Sequence, residues 1–247
     1  MTGHANADVK QAVRDRYARA AEGSGCCEPT CCGSEPETEL KPDEISRTIG
    51  YSEEGLAHVP EDANLGLGCG NPTAIASLTP GQTVLDLGSG AGIDCFLAAV
   101  QVGSECRVIG VDMTHEMIDK ARANAENGSY DNVEFRLGEI EALPVADATV
   151  DVVVSDMVSE VPVPTVLAGN VEAVAACLPT FREQYLQQLR DAGFADVRIT
   201  SEKAYPTSFI LGDPGVQEYI AGHPGHGVEL NEFAGSISGA HFEATKA

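Results

Sequence analysis

Apolar residues recur along the first half of the chain with two distinct periods. Val9, Val13, Tyr17 and Ala21 repeat every fourth residue and mark one face of a helix over residues 8–22, which Gly23-Ser24-Gly25 ends. Thr83-Val84-Leu85-Asp86-Leu87 is instead a near-continuous apolar run, the pattern of a strand buried on both faces. The turn Thr79-Pro80-Gly81-Gln82 precedes it. Gly88-Ser89-Gly90-Ala91-Gly92 follows it and leads into a helix over residues 92–101. Residues 107–111, 133–136 and 150–154 read as three more strands. Between the second and third, Met117, Ile118, Ala121 and Ala125 form the apolar stripe of a helix capped by Thr114 and stopped by Gly128. Alternating strand and helix predicts right-handed crossovers and a parallel sheet.

Elsewhere the pattern is weaker. Residues 26–48 hold paired cysteines and then a Pro- and Glu-rich linker, read as irregular. Tyr51 to Asn71 is Gly-rich and is broken by Asn71-Pro72, with Pro72 suited to the first turn of a short helix. After Ser155 the alternation falters, because Val161-Pro162-Val163-Pro164 cannot be a central strand. Residues 168–177 look helical. Thr180-Phe181-Arg182-Glu183 has the form of a capping box, opening a helix with Tyr185, Leu186 and Leu189 inward and Gly193 as its stop. Residues 195–200 read as a late strand, and the Gly-, Pro- and His-rich remainder as loop. The expected organisation is an N-terminal helix and cysteine-rich linker (1–50), a ligand-binding sheet domain (51–155) and an accessory region (156–247).

Composition narrows the function. A chain of 247 residues fits one domain with accessory pieces. No apolar run is long enough to span a bilayer, and Met1 to Lys10 lacks the charge and apolar centre of a signal peptide, so a cytoplasmic protein is expected. A net charge of −23 disfavours nucleic acid and anionic membranes as partners, since both need a cationic surface. The acids are spread along the chain, as in a protein of a salt-rich, halophilic cytoplasm where ions screen the self-repulsion. Eight cysteines in that setting point to metal binding or thiol chemistry rather than disulfides.

The glycine-rich turn carries the first candidate chemistry. A strand precedes it, a helix follows it, and Asp112 ends the next strand, where it can accept from both hydroxyls of a ribose. Glycine lets a ligand approach the backbone where a Cβ would block it. A dinucleotide requires G-x-G-x-x-G for its pyrophosphate, whereas Gly88, Gly90 and Gly92 have the spacing G-x-G-x-G. Asp86 just before the turn would repel a pyrophosphate but suits a ligand carrying an ammonium and a sulfonium. The favoured cofactor is therefore S-adenosyl-L-methionine, with glycines that merely seat a helix on a sheet as the plain alternative. Glu139, at the end of the third strand, is placed to accept from an adenine amino group, with Ile140 against the ring; the alternative is a solvated loop acid.

The cysteines carry the second. Cys26-Cys27 and Cys31-Cys32 lie close together, Cys69 sits in the glycine-rich loop, and Cys177 lies well after the sheet domain. Thiolates bind soft ions, and three of them can hold trivalent arsenic with its lone pair free. A zinc site is the alternative for the cluster, since Cys27 and Cys31 have ligand-like spacing, and ordinary helix packing is the alternative for Cys177. Cys95 is read as a buried residue of the first helix of the sheet domain, and Cys106 as structural or surface. His223 and His226 sit in a Gly-Pro loop and receive no ligand role.

Several segments together resemble the arsenite S-adenosylmethionine methyltransferases: Tyr51-Ser52-Glu53-Glu54, residues 63–72 around Gly68-Cys69-Gly70-Asn71-Pro72, residues 84–92, Gly110-Val111-Asp112-Met113-Thr114 and Gly138-Glu139-Ile140-Glu141. The resemblance implies a Rossmann-like class I methyltransferase α/β fold. It implies methyl transfer from S-adenosylmethionine to arsenite for detoxification, with a thiol reductant as co-substrate. It assigns Cys69 and Cys177 as arsenic ligands and catalytic thiols, and Cys32 or Cys27 as the further thiol. Cofactor contacts fall on Asp86, Gly88, Ser89, Gly90, Gly92, Asp112, Met113, Glu139 and Ile140. One departure stands out. The family's Asn-Cys pair after the fourth strand is missing, and Val152-Val153-Val154-Ser155 runs straight into Asp156-Met157-Val158. The expected consequence is a fourth strand fused to the end of a fifth, and a shortened sheet. Methylation of another small molecule, or a non-catalytic thiol protein binding arsenite or zinc, are the competing functions.

Overall fold

The computed structural model describes residues 3–23, 41–68, 78–140, 142–154, 157–160 and 180–246. The chain forms two compact units, Arg14–Ser155 and Asp156–Ala247 together with Met1–Val13.

Helix α1 spans Gly3–Ala21, starting earlier than its apolar spacing predicts. The linker read as irregular contains helix α2, Pro42–Ile49. Pro42 occupies its first turn, where a missing N–H costs nothing, and Glu44 accepts from the Lys41 backbone N–H at 3.0 Å. Buried Ser46 and Ile49 give it an inward face within an otherwise polar stretch. A short helix, α3, covers Glu53–Leu56 and is capped by Ser52, whose hydroxyl accepts from Gly55 N at 3.0 Å.

The sheet of this unit comprises β1 (Val84–Leu87), β2 (Val108–Asp112), β3 (Val133–Leu137) and β4 (Val152–Val154). All pairings are parallel, in the order β3-β2-β1-β4. Helix α4 (Ile93–Val102) joins β1 to β2, and α5 (His115–Gly128) joins β2 to β3. Helix α4 is apolar on most of its circumference because it is buried almost all round. Phe96, Val102, Val84, Val108, Ile118, Ala121, Phe135 and Val154 form the core beneath the sheet. Each large side chain there contributes about 1.5–3 kcal/mol through burial, more than helix or strand propensity supplies per residue. Helix α5 begins after Thr114 as expected, yet the Thr114 side chain makes no cap bond. Gly128 is its last helical residue rather than its stop, and Ser129 takes the left-handed conformation (φ 56°) instead.

The fused strand is not formed. Strand β5 (Met157–Ser159) belongs to a second sheet, so β4 and β5 are separate strands with separate partners. That sheet has the order β6-β5-β8-β7, built from β6 (Thr180–Phe181), β7 (Phe194–Ala204) and β8 (Ile237–Lys246). Strands β5 and β6 run parallel, and β8 is antiparallel to β5 and β7. Helix α6 (Arg182–Asp191) follows β6 with Leu186 buried. Its N-cap is Phe181, with no side-chain cap, so the capping box at Thr180 is absent and Thr180 pairs with Val158 instead.

The C-terminal stretch read as loop is also corrected. It folds into α7 (Thr207–Leu211), α8 (Pro214–Gly222), α9 (Gly227–Gly235) and β8, around Val216, Tyr219, Leu230, Phe233 and Ile237. Pro206 and Pro214 stand at helix starts and Gly227 begins α9, so the breakers punctuate helices rather than abolish them. His223 stacks on Tyr219 with ring centroids 4.3 Å apart. Among the described residues, no helix is long and apolar enough to cross a membrane. Cys26, Cys27, Cys31, Cys32, Cys69 and Cys177, the Pro72 turn and the helix predicted over 168–177 lie outside the described residues.

Candidate cofactor site

The site is built at the carboxyl ends of β1, β2 and β3. Parallel register sets Asp86 opposite Gly110, Leu87 opposite Val111, and Asp112 opposite Leu137. The glycine turn is then stitched to β2: Gly88 N and Ser89 N both donate to Val111 O, at 2.8 and 3.1 Å. Gly88, Gly90 and Gly92 all have positive φ (84°, 50° and 100°), a conformation costly for any residue with a Cβ.

The three glycines differ in what surrounds them. A Cβ on Gly88 or Gly90 would meet nothing within 4 Å, so the turn presents open space there. A Cβ on Gly92 would lie 2.6 Å from Phe135 Cζ and 2.8 Å from Phe96 Cε2. Gly92 therefore seats α4 on the sheet, the plain alternative considered for all three, while the first two leave room for a ligand.

Asp112 is fixed before any ligand arrives. Its Oδ2 accepts from Gly90 N at 3.0 Å and its Oδ1 from Thr114 N at 2.8 Å. Each oxygen retains a further lone pair, which is what a ribose diol needs. Burial pushes the Asp112 carboxyl upward, partly offset by the N–H groups of Thr114 and Gly90. Asp86 is 5% exposed, and burial lifts it to about 7, opposed by the Cys95 thiol and reinforced by the Asp112 charge. Such a buried carboxylate gains most from a cation beside it. Ser89 adds an orphan, since its hydroxyl is buried with no hydrogen-bond partner among the described residues.

Glu139 follows β3, and its neighbour Ile140 is 63% exposed, an apolar surface free to meet a ring. Glu139 is ion-paired with Arg14 on α1, a long-range contact that no local spacing signals. Met113 is half-buried beside Asp112. Sequence reasoning also missed Asn124, buried on α5, whose side chain donates to Ala91 O at 3.1 Å and braces the turn from behind. A polar residue one turn beyond Ala121 and two beyond Met117 on the apolar stripe was the available signal. Among the described residues no three His, Cys, Asp or Glu side chains group as a metal site.

The open space at Gly88 and Gly90, the anchored Asp112, the buried Asp86 and the orphan Ser89 fit a ribose-bearing cationic cofactor better than a pyrophosphate.

Comparison with known proteins agrees. A methyltransferase domain model matches residues 78–201, half of the chain. Over 61% of this chain, residues are 51% identical to an arsenite methyltransferase of Halobacterium salinarum, of which 40% is covered. An arsenite methyltransferase of Aquipseudomonas alcaligenes is 43% identical over 40% of this chain and 30% of its own length. The chain thus spans well under half of these curated relatives. The arsenic(III) S-adenosylmethionine methyltransferase of Chlamydomonas reinhardtii superposes with a TM-score of 0.50 at 22% identity, covering 82% of this chain and 74% of that one, which shows a shared fold. The chain belongs to the methyltransferase domain family, with a Rossmann-like class I α/β fold, and is homologous to arsenite methyltransferases over the stretch they share.

Proposed function

We propose that the protein binds S-adenosyl-L-methionine at the β1 turn and transfers its methyl group to trivalent arsenic held by cysteine thiolates. The observation that carries the reading is the anchoring of Asp112 by Gly90 N and Thr114 N beside a turn with open space at Gly88 and Gly90. Asp112 would hold the ribose hydroxyls, Asp86 would face the cationic part of the cofactor, and Ile140 would lie against the adenine. The cofactor supplies an electrophilic methyl on a sulfonium, and arsenic supplies the lone pair.

The substrate half rests on sequence. Cys69 and Cys177 are the arsenic ligands in this reading, with Cys27 or Cys32 as the third thiol. A thiol reductant returns the methylated product to the trivalent state, and detoxification is the expected role. The names of the relatives from Halobacterium and Aquipseudomonas support arsenite as the acceptor. Purified protein with arsenite, a thiol reductant and S-adenosylmethionine should give methylated arsenic, and Cys69→Ser should abolish it. Titration calorimetry tests the cofactor half separately. Cofactor binding without arsenic methylation would leave a methyltransferase of another small molecule. Metalloid binding without cofactor binding would leave a thiol protein.

A further inference from the structure

Cys95, which the proposed chemistry does not use, is fully buried in the first turn of α4. Its Sγ lies 3.2 Å from Asp86 Oδ2, and the thiol is the side-chain donor that the described residues offer this carboxylate. Room for the sulfur comes from the neighbouring strand. Gly110 pairs with Asp86 in the sheet, and a Cβ there would lie 2.8 Å from Cys95 Sγ and 2.7 Å from Phe135 Cδ1. The helix, the thiol, the acid and the glycine are thus fitted to one another across two strands.

We infer that Cys95 is a positioning residue of the cofactor site: through its S–H it holds Asp86 in place and favours the carboxylate form that a cationic ligand requires. The inference rests on the reading of the turn as an S-adenosylmethionine site. The chemistry is a competition between burial and hydrogen bonding. Burial favours the neutral acid, as does the charge of Asp112, whereas a donor to the carboxylate favours the ion. The thiol keeps its proton because burial, then the charge of Asp86 and its hydrogen bond, and then the charge of Asp94 all oppose a thiolate. Among the described residues, Cys95 and Asp112 are the ionisable groups acting on Asp86, and neither is a cation. A cation therefore has to come with the ligand, and its affinity should fall as Asp86 takes up a proton.

Two substitutions separate this role from simple core filling. Cys95→Ala removes the donor, and Cys95→Ser replaces a weak donor with a stronger one. Both disturb the core, but only a hydrogen-bonding role moves the acid in opposite directions. In the free protein, the Asp86 carboxyl followed by carbon NMR should titrate about half a unit or more higher in Cys95→Ala and lower in Cys95→Ser. Calorimetric affinity for S-adenosylmethionine across pH should show the same opposed displacement of its midpoint. Cys95→Ala should bind several-fold more weakly near neutrality and match the wild-type chain once the pH is well above the midpoint. Equal or same-direction displacement in the two variants overturns the inference. Failure of the wild-type chain to bind cofactor at any pH sinks the functional reading instead, and the NMR titration still decides the role of Cys95.

Discussion

The Tyr51 hydroxyl donates to both carboxylate oxygens of Asp94, at 3.0 and 2.9 Å, with both residues buried. This contact joins the segment after α2 to the first turn of the helix that leaves the glycine turn. Gly68, the residue before Cys69, completes it, because a Cβ there would lie 3.1 Å from Tyr51 Oη and 3.3 Å from Ile49 Cδ1. Tyr51→Phe keeps the ring and removes the donor. It should cost about 1.5–3 kcal/mol, the range for a hydrogen bond to a charged group. Chemical denaturation reads the loss, and a change under about 0.5 kcal/mol would show that the contact does not operate in solution.

The glycines of the turn should divide into two classes on substitution by alanine. At Gly92 a Cβ collides with Phe135 and Phe96 at a φ of 100°, so Gly92→Ala should destabilise by roughly 3 kcal/mol or more. At Gly88 and Gly90 only the backbone strain remains, about 1–2 kcal/mol. If the turn takes a cofactor, these two alanines should nonetheless weaken it more than their stability loss explains. Denaturation and calorimetry on all three variants check the division. Equal stability losses at Gly88 and Gly92 would contradict it.

The contrast marks how far the sequence could be read. The run Val84–Leu87, the turn and the position of Asp112 are local patterns, and the structure places each where the spacing puts it. Contacts between distant residues, such as Tyr51 with Asp94 and Arg14 with Glu139, leave no periodic trace. Local signals also misled when tertiary burial overrode them. The C-terminal stretch is rich in breakers, yet Val216 and Tyr219 of α8 and Leu230 and Phe233 of α9 recur at helical spacing and close a core with Ile237 of β8. Thr180 matches a capping signature but is taken by strand β6, moving the cap to Phe181.

Arg14 and Glu139 supply a test of the adenine end. Their ion pair is about one-third exposed on each side, so it contributes no more than about 1 kcal/mol to stability. If Glu139 accepts from the adenine amino group, Arg14 competes for the same oxygen. Arg14→Ala should then tighten cofactor binding a few-fold, while Glu139→Ala weakens it. Calorimetry distinguishes the cases, and parallel losses in both variants would assign the pair to holding α1 rather than to tuning the site.

Asp86 should make the ligand-free protein less stable as pH rises. Its carboxyl lies near 3.8 when exposed and is raised to about 7 by burial, against the opposing thiol of Cys95. A group raised in the folded state contributes fully below its unfolded value, and that contribution is lost as pH climbs through the folded value. The loss therefore falls between about pH 4 and pH 7. Asp112, also raised by burial, adds in the same direction. The melting temperature should drop by about 5 °C or more across that window, and Asp86→Asn should flatten most of the slope. A melting temperature that rises over the same window, with no effect of Asp86→Asn, would refute the assignment.

The acidic surface should make folding depend on salt, and the form of that dependence separates two causes. With 38 acidic and 15 basic residues, the folded chain carries a net charge of −23, which compaction concentrates. Screening relieves that repulsion, but it is nearly complete by about 0.5 M, where the Debye length is shorter than the spacing of most surface charges. Exclusion of salt from apolar surface strengthens burial and continues to grow at molar concentrations. A protein whose acidic charge is an adaptation to salt should use both. Thermal melts from about 0.1 to 3 M potassium phosphate should then show a steep rise followed by a shallower one that does not level off. A plateau near 0.5 M would reduce the effect to screening alone, and a flat profile would remove salt adaptation as the reason for the charge.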